Sequence, residues 1–261
     1  MTAPFYDGDR SGVTALPRWR DRLVHLLLPA PCLACARPLP ARGTELGLCT
    51  FCRGRLRSPA AACTVCALPL SGILPEEWRC AACREQPPAF DRLLALWSYE
   101  EPLDAVIQAL KFRRLDYLGR HLGEAIAARW GEEMAESDLV VPVPLHWRRR
   151  LSRGYNQAER IARALADRIG LPVLSALTRR RATPPQTSLG REERRANLRS
   201  AFRVRRTGLS GGLRGRRLVL VDDVATTGAT LEAAAAVLRK NGAASVLAIV
   251  AGRTPREGLR G

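Results

Sequence analysis

Eight cysteines, all between residues 32 and 83, constrain this chain more than any other feature of its sequence. Adding 31 to the positions of the first four gives the positions of the last four, so the segment is an internal repeat. The remaining residues of the 261-residue chain contain no cysteine, which predicts a separate module at residues 31–88. The cysteines form four C-x2-C pairs: Cys32 and Cys35, Cys49 and Cys52, Cys63 and Cys66, Cys80 and Cys83.

This spacing favours metal binding. A C-x2-C pair presents two thiolates from one tight turn, and two pairs complete the tetrahedral sulfur shell that Zn²⁺ prefers. We therefore expect two structural zinc ions, one for each repeat, and we expect them to supply most of the folding free energy of a segment with few large apolar side chains. Disulfides, which suit small secreted chains, and iron–sulfur ligation are the alternatives. The spacing leaves open whether each ion takes four consecutive cysteines or the pairs are cross-braced.

Residues 89–261 show a different pattern, in which apolar strand-like segments alternate with amphipathic helix-like segments. This alternation predicts an α/β domain with a mainly parallel sheet flanked by helices. Residues 1–30 are predicted to be an N-terminal segment with a short helix, because their leucine cluster is too short and too interrupted for a signal peptide or a membrane span. Strands are predicted at 93–99, 139–144, 172–177, 201–204, 218–221 and 245–250, and helices at 102–112, 117–134, 156–169, 192–199 and 231–240.

One strand ends in an acidic pair, Asp222 and Asp223, followed by a turn of small residues that opens a helix. Adjacent carboxylates at the end of a strand can accept hydrogen bonds from the hydroxyls of a ribose. The N–H groups and threonine hydroxyls of the turn can hold a phosphate at the helix N-terminus. The alternative is an ordinary strand-to-helix turn with a threonine N-cap. The predicted phosphate contacts are Ala225, Thr226, Thr227, Gly228, Ala229 and Thr230.

The charge of the chain predicts a polyanionic partner. Its 42 basic and 25 acidic residues give a net charge of +17, which suits nucleic acid, a phosphorylated small molecule or an anionic membrane surface. Forty of the 42 basic residues are arginine, the exceptions being Lys111 and Lys240, and a GC-rich genome would explain this preference. Residues 179–217 carry 13 arginines against two glutamates and are predicted to be a loop-rich insert. Its candidate nucleic-acid-binding residues are Arg179, Arg180, Arg181, Arg194, Arg195, Arg199, Arg203, Arg205 and Arg206.

Several motifs together resemble a known family. The sequence DDVATTGAT at 222–230 resembles the phosphoribosyl pyrophosphate (PRPP) loop of type I phosphoribosyltransferases. With the cysteine module, VPVPL at 141–145, RGYNQAE at 153–159, Gln186-Thr187 and RRANL at 194–198, it is similar to the ComF/ComFC (GntX-like) family. The resemblance implies that Asp222 and Asp223 hold the ribose hydroxyls and that 225–230 hold the 5′-phosphate.

The same resemblance assigns further roles. The loop at 144–150, which includes Leu145, His146, Arg148 and Arg149, would meet pyrophosphate together with Mg²⁺, and the arginine-rich insert would close over PRPP. From the residues alone, these arginines can equally form a solvated basic turn, and His146 can be a phosphate donor or a proton relay. Asn156 and Glu159, three residues apart at a predicted helix start, form a variant capping box.

Family members are associated with natural transformation in the cytoplasm, so the resemblance implies single-stranded DNA as a partner, alongside the helicase-like ComFA and the recombination mediator DprA. Two hypotheses follow. The chain is a competence protein that binds PRPP and DNA, or it is an active Mg²⁺-dependent phosphoribosyltransferase with an unassigned acceptor. In the second case Asp222, Asp223, Arg148 and Arg149 would be the catalytic residues.

Overall fold

The computed structural model describes residues 30–40, 45–59, 61–70, 72, 75, 77–179, 201–205 and 212–255. The predicted N-terminal helix and the predicted helix at 192–199 lie outside these residues. The strands are β1 (Arg92–Ser98), β2 (Leu139–Pro142), β3 (Leu177–Arg179), β4 (Phe202–Val204), β5 (Arg217–Ala225) and β6 (Ser245–Arg253). The helices are α1 (Thr50–Gly54), α2 (Ala81–Glu85), α3 (Leu103–Phe112), α4 (Tyr117–Trp130), α5 (Trp147–Arg153), α6 (Gln157–Ile169) and α7 (Ala229–Lys240).

Four strands form a parallel sheet in the order β1-β6-β5-β2, which confirms the predicted α/β class. The apolar run of β5 is buried on both faces, as is typical of a central parallel strand. Val219 and Val221 belong to the core shared with α3, α4 and α6, whereas Leu218 and Leu220 belong to the core shared with α7. Because the four strands are parallel, their carboxyl ends all lie at one edge of the sheet, where ligands of such folds bind.

A close approach of α4 and α6 supports one face of the sheet. A Cβ atom added at Gly123 would lie 2.4 Å from the carbonyl oxygen of Ile161, so only glycine fits there. We expect any larger residue to push the two helices apart, because the neighbouring atom is backbone and cannot rotate away.

The structure differs from the predicted elements at several places, of which three bear on the sheet and the site. The predicted strand at 172–177 is reduced to a single bridge between Val173 and Val140, because the N–H of Ala176 donates to the carbonyl of Leu174 and turns the chain away from β2. The predicted helix at 117–134 ends at Trp130, and a 3₁₀ turn follows. The strand predicted at 218–221 continues to Ala225, so the acidic pair lies inside β5 rather than after it.

The cysteine-rich segment lies along the open edge of β1. The N–H of Leu93 donates to the carbonyl of Val65 (2.8 Å), and the N–H of Ser98 donates to the carbonyl of Arg57 (2.8 Å). The hydroxyl of Ser58 donates to the carbonyl of Leu96 (2.9 Å). These bonds use polar groups that an edge strand otherwise leaves open to pairing with another chain.

In the described part of the chain, no helix combines the length and the apolar content that crossing a membrane requires.

Candidate functional site

The structure groups the cysteines by repeat. The sulfur atoms of Cys32, Cys35, Cys49 and Cys52 all lie within 4.8 Å of one another, and those of Cys63, Cys66, Cys80 and Cys83 do the same. Of the two arrangements left open by the spacing, the structure therefore has the sequential one. Each group of four can hold one metal ion.

The sulfur separations fit a tetrahedral ion better than a disulfide. The Sγ atoms of Cys35 and Cys49 lie 3.7 Å apart, as do those of Cys66 and Cys80. A disulfide would require about 2.05 Å. Two sulfurs bound to one Zn²⁺ at about 2.3 Å and a tetrahedral angle lie about 3.8 Å apart. All eight cysteines are free thiols, so the disulfide alternative is not supported.

Backbone N–H groups stabilise one thiolate in each group. Those of Cys49 and Cys80 donate to the sulfurs of Cys32 and Cys63, both at 3.3 Å. Burial raises the pKa of both thiols, but such bonds outweigh it and lower the pKa of Cys32 to about 6 and that of Cys63 to about 7. Burial and the charge of Cys63 raise the pKa of Cys66 to about 11. A cation within each group would offset this repulsion, so the donor set fits a zinc ion.

The candidate ligand cavity lies at the carboxyl ends of β2 and β5 and has a volume of about 150 Å³. It contains five of the residues predicted for the site from the sequence: Leu145, Arg149, Arg179, Asp222 and Asp223, together with Thr230 from the predicted phosphate contacts. Pro144 also belongs to the predicted pyrophosphate loop at 144–150. Residues not predicted for the cavity complete the wall: Lys111, Val143, Arg153, Asn156, Gln157, Ala158 and Val224. The cavity therefore combines two carboxylates with four basic side chains.

Asp222 and Asp223 reach this cavity from opposite faces of β5, because successive side chains of a strand alternate. Asp223 is buried; its Oδ2 atom lies 2.9 Å from Nζ of Lys111, and its Oδ1 atom accepts a hydrogen bond from the N–H of Val224 at 2.7 Å. Oδ1 of Asp222 accepts a bond from the N–H of Asp223 at 2.9 Å.

Burial and the neighbouring charge of Asp223 raise the pKa of Asp222 to about 7. The hydrogen bond from the N–H of Asp223 and the positive charges of Lys111 and Arg179 lower it, but they do not restore its usual value. The acidic pair thus holds its full negative charge only above neutral pH, or when a ligand or cation adds stabilisation.

The loop at 144–150, predicted to meet pyrophosphate, is mostly helix, since α5 begins at Trp147. Arg149 and Arg153 of this helix lie in the cavity wall, and Arg150 lines a neighbouring cavity with Arg205. Of the two arginines predicted for catalysis, Arg149 is therefore placed beside the acidic pair, whereas the side chain of Arg148 lies outside the described part. His146 is buried beside the Trp147 ring, with 5.5 Å between ring centroids, and does not belong to the cavity wall.

Arg153 connects the cavity to α3. Its guanidinium lies 5.0 Å from the centre of the Phe112 ring and donates to Oε1 of Gln157 at 3.2 Å. Burial lowers the pKa of Arg153, and the charge of Asp223 opposes that effect. Arg153 is thus held as a partly buried cation at the cavity wall.

Asn156 does not form the predicted capping box. Its Nδ2 atom donates to the carbonyl of Val143 at 3.0 Å, and Glu159 pairs with Arg163 at 2.7 Å instead of reaching back. The Oδ1 atom of Asn156 and the Nε2 atom of Gln157 are buried without a hydrogen-bond partner. Both residues line the cavity, and an unpaired acceptor beside an unpaired donor is the arrangement that a polar ligand satisfies.

The turn at 225–230 links β5 to α7. Gly228 has φ +81° and precedes the helix as its N-cap, so the alternative of a threonine N-cap is not what the structure has. The N–H of Ala229 donates to Oγ1 of Thr227 at 3.3 Å, and Thr226 and Thr227 are exposed. Apart from Thr230, the predicted phosphate contacts do not belong to the wall of the cavity. They lie on the turn beside it.

Arg253, at the end of β6, holds the carbonyls of this turn. It is 4% exposed, and its Nη1 atom donates to the carbonyls of Ala225 (2.9 Å) and Thr226. Its Nε atom donates to the carbonyl of Cys66 at 3.0 Å. Arg253 was not predicted from the sequence, because it is one of forty arginines and is separated by more than 20 residues from the turn it contacts.

Of the residues predicted to bind nucleic acid, only Arg179, Arg203 and Arg205 belong to the described part. The other six, Arg180, Arg181, Arg194, Arg195, Arg199 and Arg206, lie outside it. Arg179, on β3, joins the cavity wall on the side of Asp222, and its positive charge lowers the pKa of that carboxyl. Arg203 is exposed on β4.

Large apolar side chains are exposed on α5 and at the end of α3, beside the residues that line the cavity. Phe112, Trp147 and Leu151 are exposed by 67%, 55% and 74% respectively. We call these three residues, together with Arg149, Arg150 and Arg153, the basic-aromatic rim.

Lys111 and Asn156 were not predicted as cavity residues either. A signal for Lys111 existed, since a chain that uses arginine at forty of 42 basic positions retains a lysine there. Asn156 was interpreted instead as part of a capping box with Glu159, and this local pattern gave no indication that its side chain lines the cavity.

Comparison with known proteins supplies independent information. The sequence model of the family described as "Phosphoribosyl transferase domain" matches residues 151–259. A DNA utilization protein YhgH of Salmonella typhimurium is 35% identical over 228 residues, which cover 85% of this chain and 96% of that protein. Competence protein F of Haemophilus influenzae is 32% identical over 202 residues, which cover 75% of this chain and 86% of the relative.

Solved structures resemble about half of the chain. The purine phosphoribosyltransferase of Pyrococcus horikoshii is similar with a TM-score of 0.32 and 19% identity, covering 52% of this chain and 83% of that one. An allosteric regulatory enzyme of purine biosynthesis is similar with a TM-score of 0.36 and 24% identity, covering 51% of this chain and 25% of that one.

Proposed function

Because the chain belongs to the ComF/ComFC (GntX-like) family, we propose that it is a competence protein that binds a phosphoribosyl ligand and handles single-stranded DNA during DNA uptake. The family match over residues 151–259 and the parallel sheet identify the fold as type I phosphoribosyltransferase-like. The observation that carries the ligand proposal is the cavity that joins Asp222 and Asp223 to the unpaired amide atoms of Asn156 and Gln157.

A ribose suits this cavity. Its hydroxyls donate to carboxylates, and Oδ1 of Asn156 and Nε2 of Gln157 offer one further acceptor and one further donor. The 5′-phosphate then lies on the turn 225–230, where the N–H groups at the start of the twelve-residue helix α7 favour an anion.

Basic residues on the remaining wall suit the pyrophosphate of PRPP. Lys111, Arg149, Arg153 and Arg179 line the same cavity, and arginine recognises phosphate oxygens through two parallel N–H donors. Mg²⁺ prefers oxygen ligands and keeps part of its water shell, and the carboxylates of the acidic pair are oxygen ligands available to it. The residues present therefore fit Mg²⁺-PRPP.

Each cysteine group is proposed to hold one structural Zn²⁺. Support comes from the four thiols gathered within 4.8 Å and from the tetrahedral sulfur spacing. With four cysteine ligands the ion has no open position, so it stabilises the fold and takes no part in chemistry.

DNA binding is assigned to the basic-aromatic rim together with the arginine-rich insert. Proteins that bind single strands combine cations for the phosphates with aromatic rings on which bases stack. Phe112 and Trp147 are exposed aromatic rings, and Arg150 lies on the same helix as Trp147. ComFA and DprA are the partner proteins that the family likeness proposes.

Fluorescence anisotropy with a labelled oligo-dT tests the DNA proposal. We expect Trp147→Ala to weaken binding about five- to a hundredfold, because stacking contributes about 1–3 kcal/mol per base. Arg150→Gln is expected to reduce the slope of log K against log salt by about 0.7, the value for one phosphate contact. Phe51→Ala is the matched control, since Phe51 is also an exposed aromatic ring beside an arginine (Arg37, 5.6 Å from the ring centre) but lies on α1 in the cysteine-rich segment. Equal binding by the Trp147 variant and wild type would reject the rim.

A second function is favoured by one observation: arginines suited to a pyrophosphate leaving group lie beside the acidic pair. The adenine phosphoribosyltransferase of Mycobacterium avium is also 37% identical over 126 residues, although these cover only 48% of this chain. In such a transfer a nucleophile forms a bond to C1 of the ribose, the C1–oxygen bond breaks, and pyrophosphate leaves with the electron pair. Release of pyrophosphate from PRPP only when a purine base is added would establish a transferase. PRPP binding without release would establish a binding protein.

A further inference from the structure

Arg253 joins two parts of the molecule that the sequence places far apart. Its guanidinium donates through Nε to the carbonyl of Cys66 and through Nη1 to the carbonyls of Ala225 and Thr226. Cys66 belongs to the second cysteine group, and Thr226 belongs to the turn proposed to hold the phosphate. One side chain therefore contacts both the metal group and the ligand turn.

The position of Arg253 in the sheet makes this link short. Its Cα pairs with Ala225 of β5 on one side and with Ser98 of β1 on the other, at the edge where all four strands end. The second cysteine group meets β1 through the bond from Leu93 N–H to the carbonyl of Val65, one residue before Cys66. The guanidinium of Arg253 thus bridges the metal group and the turn directly.

The contacts of Arg253 are expected to respond to any change at the metal group, because the Arg253 side chain is buried. A buried guanidinium that loses an acceptor bears the cost of an unpaired charged donor, so it must move or recruit another partner. Four thiolates around one Zn²⁺ leave two excess negative charges, and a nearby cation is the natural complement. Loss of the ion removes the negatively charged zinc–thiolate group as a partner for Arg253, and it loosens the backbone at Cys66. Either change shifts the guanidinium and, with it, the carbonyls of the turn.

The first cysteine group provides an internal comparison. The two repeats share their local hydrogen bonds: the N–H of Cys49 and that of Cys80 contact equivalent sulfurs, and the backbone N–H of Ala36 and that of Ala67 contact equivalent carbonyls. The first group packs instead against α4, where a Cβ at Gly47 would lie 3.5 Å from the hydroxyl of Tyr117. Within the described residues, no arginine connects it to the ligand turn.

We infer that Arg253 is a positioning residue that couples the metal occupancy of the second cysteine group to the phosphate-holding turn. The phosphoribosyl ligand then binds tightly only while Cys63, Cys66, Cys80 and Cys83 hold their ion. The expected change in ligand affinity rests on the proposed function. The expected change in the turn does not.

Hydrogen exchange and calorimetry on the full, metal-loaded chain test the coupling. Arg253→Lys keeps the positive charge but cannot bridge three carbonyls. We expect it to retain the metal content of the wild type and to weaken ribose 5-phosphate binding at least tenfold. We also expect at least tenfold faster exchange of the Ala229 and Thr254 amides, which donate to Thr227 and Ala225 of the turn. Arg239→Lys is the matched control, because Arg239 also bridges backbone carbonyls (Ala89 and Ala244) but lies at the opposite end of the strands. It is expected to leave both readouts unchanged.

Paired cysteine variants give a second test that does not depend on the folding of the Arg253 variant. Cys66→Ser is expected to lose one metal ion and to reproduce both effects, whereas the equivalent Cys35→Ser is expected to lose one ion and leave the turn as it is. Unchanged exchange of the Ala229 and Thr254 amides in both Arg253→Lys and Cys66→Ser would overturn the coupling. Failure of the wild type to bind ribose 5-phosphate would instead reject the proposed function, and the exchange data alone would then decide the coupling.

Discussion

The ammonium group of Lys111 lies 2.9 Å from Oδ2 of Asp223, across the junction between α3 and the carboxyl end of β5. This contact places a compact positive charge beside the acidic pair, in which burial and the charge of Asp223 raise the pKa of Asp222. It also brings a residue more than 100 positions away in sequence into the candidate ligand cavity.

Removal of this cation is expected to change the pH dependence of ligand binding. The ionised pair accepts hydrogen bonds from the ribose, so affinity should rise as the pH increases through the pKa of Asp222, which is about 7. Lys111→Met removes a positive charge that lowers this pKa, and the midpoint of the rise should move to higher pH. Calorimetric titration of ribose 5-phosphate between pH 5.5 and 9 measures it. Lys240→Met, which changes the only other lysine, is the control. An unchanged midpoint in the Lys111 variant would argue against this role.

Asp222→Asn is expected to stabilise the fold at neutral and alkaline pH. The pKa of Asp222 is raised in the folded state from 3.8 to about 7, so the folded state binds this proton more tightly than the unfolded state. The protonated Asp222 carboxyl contributes its full share to the free energy of unfolding of the wild type below about pH 4, and this contribution is lost as the pH rises through about 7. The free energy of unfolding of the variant should therefore exceed that of the wild type by about 2–4 kcal/mol at pH 8, and by little at pH 4. Urea unfolding at both values provides the measurement, and a difference that does not depend on pH would be the contrary result.

Two glycine substitutions should separate backbone strain from ligand binding. Gly228 (φ +81°) and Gly170 (φ +72°) both have left-handed backbone conformations and open space where a Cβ would be placed. Replacing either by alanine should lower the free energy of unfolding by about 1 kcal/mol. Only Gly228→Ala should also weaken ribose 5-phosphate binding, because only Gly228 shapes the turn before α7. Equal affinities for the two variants would place the phosphate elsewhere.

Metal analysis of cysteine variants should confirm the sequential grouping. We expect two zinc ions for each wild-type chain and one in Cys32→Ser, because the sulfurs of each repeat form a separate group. A cross-braced arrangement would instead disturb both ions with this single change. Protein that contains no metal when purified would contradict the zinc assignment altogether.

Local and periodic features of the sequence predicted much of the fold. The 31-residue repeat predicted the two cysteine groups, and the alternating apolar segments predicted a parallel sheet whose strands β1, β5 and β6 all lie where expected, although β5 and β6 extend further. These features depend on short-range spacing, which the sequence states directly. The strand predicted at 172–177 was wrong because the hydrogen bond from Ala176 to Leu174 turns the chain there, and an apolar run carries no information about such a bond.

The candidate site was predictable only in part. Asp222, Asp223 and the turn at 225–230 form one contiguous motif, so the sequence indicated them together. Lys111, Asn156 and Arg253 come to the site through tertiary contacts between α3, α6, β5 and β6. Their roles depend on burial and on which partner each polar atom finds. For Asn156 the tertiary bond to Val143 replaced the local capping bond that the sequence pattern favoured.

Calorimetric titration of Mg²⁺-PRPP into the wild type and the double variant Asp222→Asn, Asp223→Asn tests the central claim most directly. The double variant removes both charges while keeping the size of the side chains, and metal analysis and circular dichroism establish that it is folded. We expect the wild type to bind one PRPP per chain and the double variant to lose at least a hundredfold in affinity. Equal affinities for the two proteins, or no binding by the folded wild type, would contradict the claim that the acidic pair and the turn after it hold a phosphoribosyl group.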